Sequence, residues 1–173
     1  FIGFSPVNFS NDSKPTIITE FIPNGSLNDI LNYERRSLSL PFWNDTKKLI
    51  NIFGIASAMS YLHLHNIIHR DLKPANILMD YYLCPKISDF GLSKSIHSNE
   101  YSMTSSSTDG PKGTPLYIAP EIWEEAQYSP AGDVYAFAFI VFEIMTNEEP
   151  FKNFTQFQIA RKVTSGTRPE IPS

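Results

Sequence analysis

Hydrophobic residues recur at helical spacing from Trp43 to His65, which predicts one long amphipathic helix. The stripe expected to face the core comprises Leu49, Ile52, Phe53, Ala56, Met59 and His63. A second stretch, from Asp133 to Met145, is apolar nearly all round, which predicts a helix buried on every side. This second stretch is shorter than the roughly 20 residues that a membrane-spanning helix needs. The two stretches therefore predict a mainly helical core.

Shorter runs of β-branched and aromatic residues predict strands. One run lies at Phe1–Phe4 and another at Thr16–Ile22, and the polar stretch between them predicts a loop. Two further runs, Asn76–Met79 and Pro85–Ile87, predict a small hairpin. Helices and strands together place the chain in the α+β class.

A turn followed by a capping signal predicts another helix near the N-terminus. Pro23-Asn24-Gly25 has the composition of a turn. Ser26, with Asp29 three residues later, is a short variant of the capping box that begins helices. A further helix is predicted over Phe151 to Val163.

The stretch from Ile67 to Asp80 holds the densest set of candidate functional residues. Apolar pairs flank a polar loop that contains His69, Arg70, Asp71, Lys73 and Asn76. Buried flanks that hold charged and amide side chains on a loop are typical of an active site. Pro74 is expected to stop helix formation inside this loop and to bias Lys73 toward an extended backbone.

Three histidines, His63, His65 and His69, raise the alternative of a metal site. No Cys or carboxylate cluster completes a coordination shell in the sequence, and His63 falls on the predicted buried stripe. We therefore interpret His63 as a core histidine with satisfied hydrogen bonds.

Composition narrows the functional classes. The chain has 173 residues, 42% of them hydrophobic and 13% aromatic, which is typical of one globular domain. Its net charge of −4 argues against a nucleic-acid-binding protein or one that binds anionic membranes. The single cysteine, Cys84, excludes an internal disulfide. With no visible targeting segment, a reducing, cytoplasmic location is the expectation.

The Ile67–Asp80 stretch closely resembles the catalytic loop of eukaryotic protein kinases, H-R-D-x-x-x-x-N. Ser88-Asp89-Phe90-Gly91 follows at the place of the kinase Asp-Phe-Gly motif. The segment Gly113–Glu121, which ends in Ala-Pro-Glu, is similar to the kinase segment that receives the substrate chain. Gly166–Pro172 resembles the closing segment of tyrosine-kinase-like Ser/Thr kinases. The resemblance therefore implies a Ser/Thr protein kinase fold that uses ATP and Mg²⁺ and acts on protein substrates.

The resemblance also implies roles for individual residues. Asp71 would accept or orient the proton of the substrate hydroxyl, and Lys73 would reach the transferring phosphoryl group. Asn76 and Asp89 would hold Mg²⁺. Asp133 would anchor the catalytic loop. The residues implied in ATP binding are Thr19 as gatekeeper, Glu20 and Ile22 through their backbones, Leu78 and Asn76.

The polar stretch Leu92–Gly113 resembles an activation loop. An Arg before the catalytic Asp, here Arg70, is associated with control by a phosphate on that loop, placed there by an upstream kinase or by autophosphorylation. The candidate phosphorylation sites are Thr104, Ser105, Ser106, Ser107 and Thr108. An unmodified, solvated loop is the open alternative. Lys73 and Thr114 both favour Ser/Thr specificity, and Glu121 would pair with an Arg from helices that follow Ser173 in the family.

The resemblance makes residues 1–173 a partial kinase domain. Residues 1–22 would be strands and hinge of the small lobe, and residues 23–173 a large lobe that stops before its last helices. The sequence contains no G-x-G-x-x-G, and the expectation is that this loop, the strand Lys and its partner Glu precede Phe1. Residues 1–173 alone are therefore expected to be weakly active or inactive. The alternatives are a pseudokinase or kinase-lobe fragment that acts as an interaction module, and a small-molecule phosphotransferase.

Overall fold

The computed structural model describes residues 2–38, 40–95, 103–104 and 111–172, with the backbone alone at 103–104. The fold is α+β, as predicted, and the described residues form five α-helices and short antiparallel strand pairs. The helices are α1 (Leu27–Arg35), α2 (Asp45–Leu64), α3 (Pro120–Glu125), α4 (Pro130–Thr146) and α5 (Gln156–Thr164). The strands are β1 (Gly3–Ser5), β2 (Thr16–Ile18), β3 (Ile67–Ile68), β4 (Ile77–Met79), β5 (Pro85–Ile87), β6 (Lys94–Ser95), β7 (Met103–Thr104) and β8 (Gln127–Tyr128).

The N-terminal hairpin is shorter than the sequence predicted. β1 pairs with β2 with Gly3 opposite Ile18, so the strand expected over Thr16–Ile22 ends at Ile18. Farther along, the chain bonds to β4 instead. The Asn24 amide donates to the Met79 carbonyl at 3.3 Å, and the Met79 amide donates to the Gly25 carbonyl at 2.9 Å. The chain therefore leaves the hairpin after Ile18 and reaches β4 at Asn24 and Gly25.

The predicted helix after Gly25 and the predicted hairpin are both confirmed. Ser26 caps α1, because its hydroxyl accepts from the Asp29 amide while the Asp29 carboxylate accepts from the Ser26 amide. β4 and β5 pair with Ile77 opposite Ile87. Met79 and Ile77 are fully buried, so this hairpin packs against the helices below it.

Helix α2 forms where the sequence predicted it, but its buried face coincides only partly with the predicted stripe. Met59 is buried and Ile52 packs against the core, as predicted. The buried residues of α2 are Asn51, Ile55 and Met59, which contact α4 and β5. Leu49 and Phe53, assigned to the core from the sequence, are 58% and 74% exposed. Close packing against β5 selects this face. A Cβ on Gly54 would lie 2.8 Å from the Pro85 ring, so a glycine is needed where helix and strand touch.

Helix α4 lies at the centre of the main core but is not buried on every side. Ile140 and Ile144 are fully buried against α1, α2 and β4. Val134 and Met145 are 53% and 56% exposed among the described residues. The prediction of burial all round is therefore wrong for this face. No helix of the described residues is long and apolar enough to cross a membrane.

Candidate active site

Asp133, at the start of α4, holds the polar loop that follows β3. Its buried carboxylate accepts three hydrogen bonds, each 2.9 Å long. The donors are the backbone amides of His69 and Arg70 and the Nε2 of the His63 ring. The expected anchoring by Asp133 is confirmed, and His63 is a histidine satisfied by a structural partner.

The loop is shaped by one backbone reversal and one proline. Arg70 adopts a left-handed conformation with φ of 67°, which turns the chain just before Asp71. Lys73 is extended, with φ of −163°, as the following proline predicted. Pro74 does not stop helix formation, however. It occupies the first position of a 3₁₀ turn over Pro74–Asn76, where its missing amide costs nothing, and this turn brings Asn76 back to Asp71.

Three hydrogen bonds converge on the Asp71 carboxylate. The Thr114 hydroxyl donates to Oδ1 at 2.8 Å, and Lys73 Nζ and Asn76 Nδ2 donate to Oδ2 at 2.8 and 3.0 Å. Lys73 Nζ also donates to the Thr114 hydroxyl at 2.7 Å, which closes a ring of three side chains. Burial raises the pKa of Asp71, but hydrogen bonds from Lys73 and Thr114 outweigh it and hold the pKa below its usual value.

Asp89 is placed beside Asn76 through the backbone of Ser88. The Ser88 amide and hydroxyl both donate to the Asn76 carbonyl, at 2.9 and 3.0 Å. Asp89 itself is left-handed, with φ of 60°, and its side chain caps the next 3₁₀ turn through the Gly91 amide. His69 Nε2 donates to the Ser88 carbonyl at 2.9 Å, and the His69 and Phe90 rings lie 5.2 Å apart. Two segments that the sequence singled out, the polar loop and the Asp-Phe-Gly motif, therefore meet at this point.

Two of the residues expected to bind ATP, Leu78 and Glu20, lie at the β4–β5 hairpin. Leu78 is half-buried in β4 and forms a bridge with Ser26. Glu20 pairs through its carboxylate with Lys86, the residue opposite Leu78 in the hairpin. Thr19, expected at the back of a pocket, is exposed among the described residues, while Ile22 is partly buried.

The candidate phosphorylation sites lie mostly outside the described residues. Ser105, Ser106, Ser107 and Thr108 fall there, and only the backbone of Thr104 is described, in β7. Arg70, their expected partner, donates from Nε to the Leu92 carbonyl and stacks on the ring of Tyr128 at 5.2 Å. Glu121, in the first turn of α3, is partly buried.

A buried polar cluster beneath the substrate-like segment was missed by sequence reasoning. Glu143 of α4 accepts from Arg35 of α1 at 2.7 Å and from the Tyr117 hydroxyl at 2.6 Å. Burial, with the nearby charge of Glu143, raises the pKa of Tyr117. Burial also raises the pKa of Glu143, although hydrogen bonds from Tyr117 and Arg35 oppose it. A Glu within the apolar stretch Asp133–Met145 was the one available signal, since a buried acid requires a partner.

Comparison with known proteins agrees with this geometry. The profile of the protein tyrosine and serine/threonine kinase family matches residues 4–173. A probable serine/threonine-protein kinase of Dictyostelium discoideum is 40% identical over 157 residues, which is 90% of this chain and 16% of that protein. The RGS domain-containing serine/threonine-protein kinase A of the same organism is 39% identical, over 93% of this chain and 13% of that protein. The serine/threonine-protein kinase STY46 of Arabidopsis thaliana is 37% identical, over 90% of this chain and 25% of that protein.

The chain therefore belongs to the protein tyrosine and serine/threonine kinase family. It spans a quarter or less of the length of these three relatives. The resemblance drawn from the His-Arg-Asp, Asp-Phe-Gly and Ala-Pro-Glu segments is confirmed at the level of the family.

Proposed function

We propose that this chain is the greater part of a protein Ser/Thr kinase domain of the tyrosine-kinase-like group, with residues 1–22 from the small lobe and 23–173 from the large lobe. The reaction is transfer of the γ-phosphoryl group of ATP to a Ser or Thr hydroxyl of a protein. The observation that carries the proposal is the convergence of Lys73, Asn76 and Thr114 on the Asp71 carboxylate. Membership of the kinase family and relatives named as Ser/Thr kinases support it.

In this proposal Asp71 orients the substrate hydroxyl and accepts its proton. Its lowered pKa keeps the carboxylate ionised near neutral pH, so it can accept a hydrogen bond from the attacking hydroxyl. Lys73 Nζ bridges Asp71 and Thr114 and supplies positive charge where the phosphoryl group passes. The Thr114 hydroxyl occupies one face of Oδ1 and thus fixes the carboxylate plane.

The residues present fit the Mg²⁺ and ATP that the family implies. Asn76 uses its amide nitrogen on Asp71, which leaves its Oδ1 with no protein partner among the described residues. Asp89 uses Oδ1 on the Gly91 amide, and its carboxylate is exposed. Amide and carboxylate oxygens are ligands that Mg²⁺ prefers, so these two residues would hold the ion, which neutralises phosphate charge when bound. Glu20, Ile22 and Leu78, with Thr19 beside them, would line the adenine side.

Lys73 and its bond to Thr114 support Ser/Thr rather than Tyr specificity. We further propose that a phosphate on Thr104, Ser105, Ser106, Ser107 or Thr108, added by an upstream kinase or by autophosphorylation, pairs with Arg70. Phosphate brings nearly two negative charges and Arg can pair with it bidentately. Mass spectrometry of active protein that shows no phosphate between Leu92 and Thr114 contradicts this part.

The test is phosphate transfer from radiolabelled ATP to a protein substrate by protein that carries the chain. Asp71→Asn is expected to lower kcat by about 10²- to 10⁴-fold, because loss of a general base costs that much. ATP binding and the circular dichroism spectrum are expected to stay unchanged. Asp45→Asn, on the exposed start of α2, is the matched control. Phosphoamino-acid analysis of the product separates Ser/Thr from Tyr transfer.

Full activity in the Asp71→Asn protein contradicts the assignment of this residue. A folded wild-type protein that transfers no phosphate contradicts the kinase proposal as a whole and favours an interaction module. Residues 1–173 alone are expected to be weakly active or inactive, because they hold no glycine-rich loop to cover the ATP phosphates.

A further inference from the structure

Tyr128 of β8 lies where three parts of the candidate site meet. It is 1% exposed, and its hydroxyl uses both of its hydrogen-bonding functions on one residue. The hydroxyl oxygen accepts from the Lys112 amide at 2.5 Å, and the hydroxyl donates to the Lys112 carbonyl at 3.2 Å. A side chain that bonds both backbone groups of one residue fixes the position and the orientation of that residue.

The ring of Tyr128 contacts Arg70, whereas its hydroxyl bonds Lys112. The Arg70 guanidinium lies over the ring, 5.2 Å from its centre. This contact is a cation–π interaction between buried or partly buried groups, which is stronger than one at the surface. The backbone of the same strand pairs with β7, with Met103 opposite Tyr128. Tyr128 therefore contacts Arg70, the stretch that holds the candidate phosphorylation sites, and Lys112.

Only Gly113 separates Lys112 from Thr114, whose hydroxyl bonds Asp71. Gly113 is left-handed, with φ of 123°, and a Cβ there would lie 2.9 Å from the Arg70 carbonyl oxygen. The chain is thus packed against the backbone of the polar loop at this residue. Because the chain at Gly113 lies too close to that loop to admit even a Cβ, we expect a displacement of Lys112 to reach Thr114, two residues along.

We propose that Tyr128 is a positioning residue that ties the Arg70 side chain to the placement of Thr114 at Asp71. The inference rests on the proposed kinase function and names a residue that the sequence motifs did not. The hydroxyl holds the start of the segment Lys112–Thr114, and the ring holds Arg70. Tyr128 touches no reacting atom and acts through Thr114.

Tyr128→Phe tests this role, because it removes the hydroxyl and keeps the ring under Arg70. In kinase-active protein that carries the chain, the KM for the protein substrate is expected to rise at least about fivefold, because the change removes both hydrogen bonds between the Tyr128 hydroxyl and Lys112 and one such bond is worth about that factor. The KM for ATP is expected to stay within about twofold of the wild-type value, since Tyr128 has no part in ATP binding. A loss of folded protein would lower kcat and leave both KM values unchanged, so the split between the two substrates reports positioning.

Tyr61→Phe is the matched control, because Tyr61 is exposed on α2 and its hydroxyl has no bond in the described residues. A second measurement needs no catalysis: hydrogen exchange at the Lys112 amide is expected to be faster in Tyr128→Phe than in either the wild type or the control. An unchanged KM for the protein substrate overturns the proposal, whether or not exchange is faster. A wild-type protein without kinase activity contradicts the proposed function. If hydrogen exchange at the Lys112 amide is then also unchanged in Tyr128→Phe, the proposal that Tyr128 fixes Lys112 is overturned as well.

Discussion

At the scale of single residues, the pKa values of Asp71 and Glu143 depend on the balance between burial and hydrogen-bond donors. Asp71 receives Lys73, Asn76 and Thr114 and keeps its pKa below the usual value. Glu143 lies deeper, receives Arg35 and Tyr117, and has a raised pKa because burial outweighs these two partners. Two carboxylates in different surroundings therefore behave differently: the ionised form is favoured at Asp71, and the protonated form is favoured more at Glu143.

The raised pKa of Glu143 has a consequence for stability against pH. The folded chain binds a proton at Glu143 more tightly than the unfolded chain does, whose pKa is near 4.5. The free energy of unfolding therefore falls as pH rises from 4.5 through the raised folded pKa. Glu143→Gln is expected to remove this decline. The measurement is urea unfolding of both proteins between about pH 4 and pH 7.

Glu124→Gln serves as the comparison, because Glu124 is exposed on α3. Its unfolding free energy is expected to follow the wild-type curve across the pH range. A wild-type chain that gains stability relative to Glu143→Gln as pH rises would contradict the sign of this shift.

At the scale of elements, α2 shows how packing selects a face. Helical periodicity placed the helix correctly over Trp43–His65, but its apolar residues are spread around much of the circumference. The buried line passes through Asn51, Ile55 and Met59 because Gly54 lets the helix approach Pro85 closely. Asn51 is accommodated on this face because its amide donates to the carbonyls of Lys47 and Leu83, each at 2.9 Å.

Two alanine variants of α2 compare a predicted core residue that is exposed with a residue that is buried. Ile55→Ala is expected to cost about 2–5 kcal/mol of unfolding free energy, because Ile55 is fully buried. Phe53→Ala is expected to change it by no more than about 0.5 kcal/mol, because that ring is largely exposed. Denaturant unfolding of the chain measures both. A larger loss of unfolding free energy for Phe53→Ala than for Ile55→Ala would contradict the observed burial and support the sequence prediction for Phe53.

Across the whole molecule, Asp133 joins parts of the chain that are far apart in sequence. Its carboxylate links α4 to His63 at the end of α2 and to the backbone of the loop at His69 and Arg70. The two helices that it links, α2 and α4, also pack together in the main core with α1 and β4. The polar loop of the candidate active site is thus held in place by helix α4.

Asp133→Asn is expected to disturb stability and activity together. An amide offers one acceptor oxygen to three donors, so at least one buried amide loses its partner, at a cost of about 1–3 kcal/mol. The same change loosens the backbone before Asp71, and kcat is expected to fall at temperatures where the protein stays folded. Urea unfolding and phosphate transfer are the two measurements.

The surface variant Asp45→Asn is expected to leave kcat unchanged and to lower the free energy of unfolding by only about 0.5 kcal/mol, the effect of one charge lost at a helix N-terminus. Wild-type kcat in a folded Asp133→Asn protein would show that the loop keeps its geometry without this anchor.

Much of the candidate site could be predicted from motifs of neighbouring residues. The loop His69–Asn76 and the Asp-Phe-Gly motif were recognised from residue types and their spacing along the chain, and the anchoring role of Asp133 was implied by the resemblance to kinases. The roles of Tyr128, Arg35 and Glu143 were not recognised, because each forms hydrogen bonds with residues distant in sequence and belongs to no motif. The 3₁₀ turn that begins at Pro74 was missed because a proline signals both the end of a helix and its first position.

The sequence by itself determined the α+β class, the order of the elements, the kinase resemblance and the residues around Asp71. These follow from periodicity, turn chemistry and motifs, which are properties of neighbouring residues. Only the tertiary structure decided which face of α2 is buried, where β2 ends and how Tyr128 contacts both Arg70 and Lys112. These depend on competition between distant segments for the same packing surface and the same backbone hydrogen bonds, and that competition is settled only when the chain is folded.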